Sequence, residues 1–180
     1  MNDKLNLYIP SYNRPEKCLN TVLKLVSQIK SFENIDINII DNASKINYLN
    51  FFSKEKNIYE LITANKIIIR RNNVNIGMSA NIMRCFEYAA NQKGWLWILS
   101  DDDEIKDNAI EIILNSISDA EEKVGFIKYS SDRIIHDNGF IIKTPRKLTK
   151  YISINPKIRF NSYIFLTNVI YKIESYKSSV

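Results

Sequence analysis

Asp101, Asp102, Asp103 and Glu104 stand in a row directly behind the apolar run "WLWIL" at 95–99. Neighbouring carboxylates repel one another, by about 1 kcal/mol per pair at 4 Å in water and about 4 kcal/mol at the effective dielectric of a protein surface. A bound divalent cation removes that cost. Hard cations such as Mg2+ and Mn2+ take oxygen ligands and are commonly held by one or two carboxylates together with substrate phosphates. The competing reading is a polar turn in which Asp107 caps the following helix. A cap needs one aspartate, and this motif has three.

Three other polar clusters sit in the same relation to apolar runs. "PSYNRP" follows the run Leu5 to Pro10, "DNAS" follows "IDINII" at 35–40, and "RNNVNIG" follows "KIIIR" at 66–70. Between these strand candidates lie helical patterns: Leu19, Val22, Leu23, Val26 and Ile29; a helical or mixed "INYLNFFSKEKNIYELIT"; Ile82, Met83, Phe86, Ala89 and Ala90; and Ile110, Ile113, Leu114 and Ile117. Strands alternating with helices predict an α/β fold, a mainly parallel sheet with helices on both faces. Ligands of such sheets bind outside the carboxyl ends of the strands. The four clusters therefore share one rim and predict a convergent site.

Taken singly, these residues also have plain structural readings. Pro10 could end an edge strand, Asp41 and Ser44 could close an Asx-turn, Gly77 could supply a positive φ, and Arg14 and Arg71 could be solvated. Their joint position on one rim favours the functional reading.

Other chemistries are excluded. Cys18 and Cys85 fall inside helical patterns and His136 is the single histidine, so there is no zinc set and no triad. The four glycines, Gly77, Gly94, Gly125 and Gly139, form neither GxGxxG nor a P-loop. Any phosphate must be held another way. A phosphoryl-transfer fold of the receiver or haloacid-dehalogenase type needs an aspartate behind its first or central strand, and strand one here ends in "IPSYN".

At 180 residues and 45% hydrophobic, the chain suits a single domain with one packed core. The opening "MNDKLNLYIPSYNRP" has no signal-peptide layout, and no apolar stretch reaches bilayer length, which predicts a cytoplasmic protein. Residues 141–180 carry eight basic side chains and one acidic. That segment is either a solvated basic surface or a contact for anionic lipid or a phosphorylated substrate, at the inner face of a membrane. Without an aromatic platform it does not suit nucleic acid. Past Glu122, "VGFIKY" reads as a strand, "RIIHDNGFIIK" as a C-terminal antiparallel hairpin turning at Asn138-Gly139, and "YIFLTNVIYK" as one more strand or a buried helix start.

"LYIPSYNRPEKCLNTVLKLVSQ", "INIIDNAS", "NNVNIGMSANIMRCFEYA" and "WLWILSDDDE", in this order and spacing over residues 4–110, resemble the N-terminal half of family 2 glycosyltransferases of the Rossmann-like GT-A fold. The resemblance implies an inverting enzyme that takes a nucleotide-diphosphate sugar, by default a UDP-sugar, and Mn2+ or Mg2+. It further implies a saccharide or lipid-linked acceptor in cell-surface or capsular polysaccharide synthesis. Pro10, Ser11 and Tyr12 would line the nucleotide pocket with Asn13 and Arg14 beside them. Asp41, next to Asn42, would accept from the base. Asn75, Gly77 and Asn81 would close over nucleotide and sugar. Asp101 would open the DxD motif and share the metal with Asp103, while Asp102 would face the ribose.

The general base is where the chain departs from the family pattern. The family places an aspartate well downstream of the DxD, and residues 160–180 contain only Glu174. Asp132 and Asp137 are weak substitutes. Residues 1–110 read as the nucleotide-sugar half and 111–180 as the start of an acceptor half, in a chain that reads as truncated. The alternative function is accordingly a catalytically incomplete nucleotide-sugar binding module.

Overall fold

The computed structural model describes residues 4–122, 124–129 and 169–173. Its elements run β1 (Leu5–Ser11), α1 (Pro15–Gln28), β2 (Ile35–Asp41), α2 (Tyr48–Phe52), α3 (Lys56–Thr63), β3 (Ile67–Arg71), α4 (Met78–Ala89), β4 (Trp95–Ile98), α5 (Ala109–Ser118), β5 (Phe126–Lys128) and β6 (Val169–Lys172). The strands form one sheet in the order β3-β2-β1-β4-β6-β5. β1 to β4 are mutually parallel, and β6 runs antiparallel to both β4 and β5. The parallel α/β half and the antiparallel addition agree with expectation, and "YIFLTNVIYK" resolves as a strand over its last four residues. The hairpin expected at Asn138-Gly139 lies outside the described residues.

Period-2 alternation distributes the side chains of β1 between two cores. Leu5, Leu7 and Ile9 pack with Cys18, Val22 and Leu25 of α1, Tyr48 and Phe52 of α2, Ile58 of α3, and Ile110, Ile113 and Ile117 of α5. Tyr8 points the other way and joins Ile40, Leu96, Ile98 and Ile173 against Cys85 and Ala89 of α4. Both cysteines are buried and free. Burial pushes the Cys85 thiol up to about 12, so it behaves as a core residue and not as a nucleophile.

Pro10 has a specific place in this sheet, and β1 is not an edge strand. Trp95 N donates to Lys4 O and Leu99 N to Tyr8 O, so the even residues of β1 direct their backbone groups at β4. The next rung would need an N–H from residue 10, which proline lacks. Pairing between β1 and β4 stops at Tyr8↔Ile98, whereas pairing with β2 continues to Ser11↔Asp41. The two central strands thus separate at their carboxyl ends.

Two further details fix where the strands sit. Gln28 clamps the start of α5: its Nε2 donates to Lys106 O at 2.9 Å and its Oε1 accepts from Ile110 N at 3.2 Å. The capping reading of Asp107 is not what forms: Asn108 occupies the N-cap without a side-chain bond, and Asp107 is exposed. At the opposite end of the sheet, Gly94 has φ +93° and lies so close to β1 that a Cβ would sit 2.3 Å from Lys4 O.

Gly77, by contrast, has φ +83° with open space around it. Gly94→Ala should therefore cost both backbone strain and a backbone clash, more than about 3 kcal/mol, while Gly77→Ala should cost strain alone, about 1–3 kcal/mol. Denaturant melts of the two variants measure the difference directly.

Candidate functional site

The opening between β1 and β4 is where sheet order reverses, with β2 and β3 built outward on one side and β4 on the other. Such switch points form crevices. Ser11 closes its floor. Its hydroxyl donates to Asp101 Oδ2 at 2.5 Å and lies 2.7 Å from the hydroxyl of Tyr48. Tyr48 in turn accepts from Arg14 N at 2.9 Å, and Thr21 donates to the backbone carbonyl of Asp101 at 3.1 Å. Asp101 is almost wholly buried, 2% exposed.

Burial raises the Asp101 pKa above the usual carboxylate range; the Ser11 bond and the Arg14 charge oppose that, and Asp102 adds to it. Asp102, at the surface, moves the other way. The Ser100 hydroxyl bonded at 2.7 Å and the nearby charges of Arg14 and Lys17 hold its carboxyl below the usual range. The Arg14 guanidinium spans both acids, 2.5 Å from Asp102 and 3.3 Å from Asp101. It supplies positive charge at the mouth of the crevice.

A second cluster closes the ends of β2 and β3. Asp41 is fully buried, accepts from Ser44 N at 2.9 Å and pairs with Arg71 at 2.6 Å. Arg71 also donates to Ser44 O at 2.6 Å. The Ser44 hydroxyl accepts from Asn13 N at 2.8 Å, and Asn13 Oδ1 accepts from Lys45 N at 2.8 Å. Asn13 and Ala43 hold φ +54° and +60°, so the loops after β1 and β2 are locked to each other through two left-handed turns.

Four asparagines form the third cluster. Asn42 Nδ2 donates to Asn75 Oδ1 at 2.8 Å, and its Oδ1 accepts from Asn72 Nδ2 at 2.9 Å and from Ile76 N at 3.0 Å. Asn72 Nδ2 also donates to Asn81 Oδ1 at 2.8 Å, and Asn81 Nδ2 reaches Ile40 O at 3.1 Å. Amides carry both donors and acceptors, so they bridge loop to loop with no charge to bury. The loop before α4 is thereby tied to the end of β2.

Ser11, Arg14, Asp101 and Asp102 meet at the fork, Asn13 and Asp41 meet through Ser44, and Asn42, Asn75, Gly77 and Asn81 meet in the asparagine web. Pro10 ends the ladder between them. Tyr12 is exposed on the rim, and Asp103 is half-buried. Tyr48 and Asn72 were not singled out from sequence. Tyr48 reads as one apolar position of α2, and nothing in "RNNVN" separates Asn72 from Asn73; only the sheet does, because Asn72 N makes the next rung to Asp41 O at 2.8 Å.

Among the described residues no three metal-ligating side chains converge. The donors that are present, carboxylate oxygens of Asp101 and Asp103, suit a hard cation that takes the rest of its shell from phosphates and water. A preformed protein cage is not required for that mode.

A polar, carboxylate-bearing crevice at the switch point of an open α/β sheet is where folds of this class bind their ligands. The glycosyl transferase family 2 model matches residues 7–173, and the chain belongs to that family. Among solved structures it is similar to the mannosyltransferase PcManGT from Pyrobaculum calidifontis in complex with GDP-Man and Mn2+, at 12% identity and TM-score 0.63, covering 98% of this chain and 46% of that one. It is also similar to S. aureus TarS 1-349, at 16% identity and TM-score 0.64, covering 98% and 49%. TarS 1-349 in complex with UDP-GlcNAc matches at 14% identity and TM-score 0.64, covering 98% and 47%. These likenesses establish the GT-A fold. The chain spans about half the length of these structures. No curated protein matches it in sequence.

The sign of the Asp101 shift yields a pH test. A carboxylate whose folded pKa is raised costs stability as pH climbs past its unfolded pKa, and a lowered one such as Asp102 contributes stability that is lost as pH falls. Asp101→Asn should therefore gain on the wild type as pH rises from about 3 to about 7. Urea melts across that range should show the difference growing in favour of the variant.

Proposed function

We propose that the crevice holds the donor of an inverting glycosyl transfer, a nucleotide-diphosphate sugar, with Mn2+ or Mg2+ at its acidic end. The observation that carries this reading is the Ser11–Asp101 bond, which sets the acidic motif at the switch point of the sheet. Pro10, Ser11 and Tyr12 line the nucleoside side, with Asn13 and Arg14 at its edge. Asp41 accepts from the base, and Arg71 beside it adds a donor. Asn42, Asn75, Gly77 and Asn81 hold the loop that closes over nucleotide and sugar. Asp102 faces the ribose.

Asp101 and Asp103 would hold the cation. When bound, it neutralises charge building on the leaving diphosphate, as a Lewis acid does in place of a protonated group. The Arg14 guanidinium provides fixed positive charge on the same side. The sequence candidates for the general base, Asp132, Asp137 and Glu174, lie outside the described residues.

For the acceptor we propose a saccharide or lipid-linked saccharide in cell-surface polysaccharide synthesis. The basic side chains of residues 141–180 favour an anionic surface and a place at the inner membrane face. No helix among the described residues is long and apolar enough to cross a membrane, which leaves peripheral contact as the mode proposed.

Melting curves with UDP-, GDP- and dTDP-sugars, each with and without Mn2+, test this. One nucleotide paired with Mn2+ should stabilise the protein by about 2.7 kcal/mol at a hundredfold excess over Kd. Asp103→Ala should lose the metal-dependent part of that stabilisation. No response to any nucleotide would overturn the reading.

A further inference from the structure

Tyr48 is the least expected residue at the fork. It lies in no strand-end cluster, it is 1% exposed, and its ring stacks on Phe52 with centroids 5.8 Å apart. Its hydroxyl stands against Arg14 N, the Ser11 hydroxyl and, as a third neighbour, the Ser44 hydroxyl. On one side is Arg14 N, which can only donate; on the other is Ser11 Oγ at 2.7 Å.

The direction of every bond in this chain follows from its ends. The Asp101 carboxylate only accepts, so the Ser11 hydroxyl spends its proton on Asp101. Ser11 Oγ must then accept from Tyr48, and the Tyr48 oxygen accepts from Arg14 N. The order is Arg14 N–H to Tyr48 O–H to Ser11 O–H to Asp101. Burial raises the Tyr48 pKa, which keeps its proton in place. The far end returns to the same residue, because the Arg14 guanidinium sits 3.3 Å from the other Asp101 oxygen. A ring of donors closes around one carboxylate.

We propose that Tyr48 is a positioning residue for the donor site: its hydroxyl orients Ser11, and through Ser11 fixes the Asp101 carboxylate and the start of α1 in the geometry that receives the cation and diphosphate. This rests on the nucleotide-sugar reading given above. Tyr48 touches neither nucleotide nor cation. Without its hydroxyl, Ser11 can rotate away from Asp101 and Arg14 N loses its acceptor, while the ring packing on Phe52 is kept.

The test is a Mn2+ titration followed by electron paramagnetic resonance, in the presence of whichever nucleoside diphosphate the melting curves select. Tyr48→Phe should weaken Mn2+ binding about two- to tenfold, the range spanned by one net hydrogen bond. Ser11→Ala cuts the same chain one link on but leaves the Arg14 N bond to Tyr48 in place, so the Tyr48→Phe, Ser11→Ala double variant should lose clearly less than the sum of the two single losses. Phe52→Leu perturbs the same helix by packing only; it should lower the melting temperature yet leave Mn2+ affinity within about twofold, since the hydroxyl chain is untouched. Unchanged binding in Tyr48→Phe, additive losses in the double variant, or equal weakening in Phe52→Leu would each overturn the inference while leaving the nucleotide-sugar reading standing. A wild type that binds neither nucleotide nor Mn2+ would overturn both.

Discussion

The missing N–H of Pro10 is the constraint on which the rest of the site depends. It ends the ladder between β1 and β4 at Tyr8 and Ile98, where β4 stops while β1 runs on to Ser11, and the backbone beyond is free to diverge. Divergence at the centre of a parallel sheet leaves polar backbone and short side chains facing a crevice instead of a neighbour. The chain then has to stabilise that opening with side-chain bonds. Ser11 and Asp101, one from each departing strand end, make the bond that spans it.

The polar clusters around the crevice divide the electrostatic work between them. At the fork, charge is partly buried: desolvation raises the Asp101 pKa, and Ser11 and Arg14 oppose that rise. At the ends of β2 and β3 a buried aspartate is matched by a half-exposed arginine. Breaking such a pair from one side is costly because it leaves a buried charge uncompensated. Around the loop before α4 there is no charge at all, only amides that satisfy one another. The neutral web fixes a loop without opposing a polyanionic ligand, while charge is concentrated at the end where a diphosphate and a cation would meet.

The alternation of strand and helix was legible because period 2 and period 3.6 leave different apolar spacings, and three of the four β–α units carry a clean one; the connection after β2 reads only as helical or mixed and forms two short helices, α2 and α3. That order also placed the four polar clusters on one rim. Two local readings did not survive tertiary structure. Asp107 has the type and position of a cap, but the start of α5 is held from outside by Gln28 of α1, a contact across 82 residues. Pro10 suggests an edge strand, yet it lies in a central one, because its lost donor points at the single neighbour that has already departed.

By itself the sequence determined the α/β class, the rim on which the polar clusters lie and the family to which the chain belongs, since these follow from local periodicity and from motifs a few residues long. Tertiary structure decided which polar residues are partners. Hydrogen bonds require atoms within about 3 Å, and the pairs that matter are far apart in sequence: Ser11 with Asp101, Arg14 with Asp102, Asn42 with Asn75, Asp41 with Arg71. Tyr48 shows the limit most clearly. Its ring is one more apolar position on a short helix, and only the folding of α2 against the start of α1 gives its hydroxyl a donor on one side and Ser11 on the other.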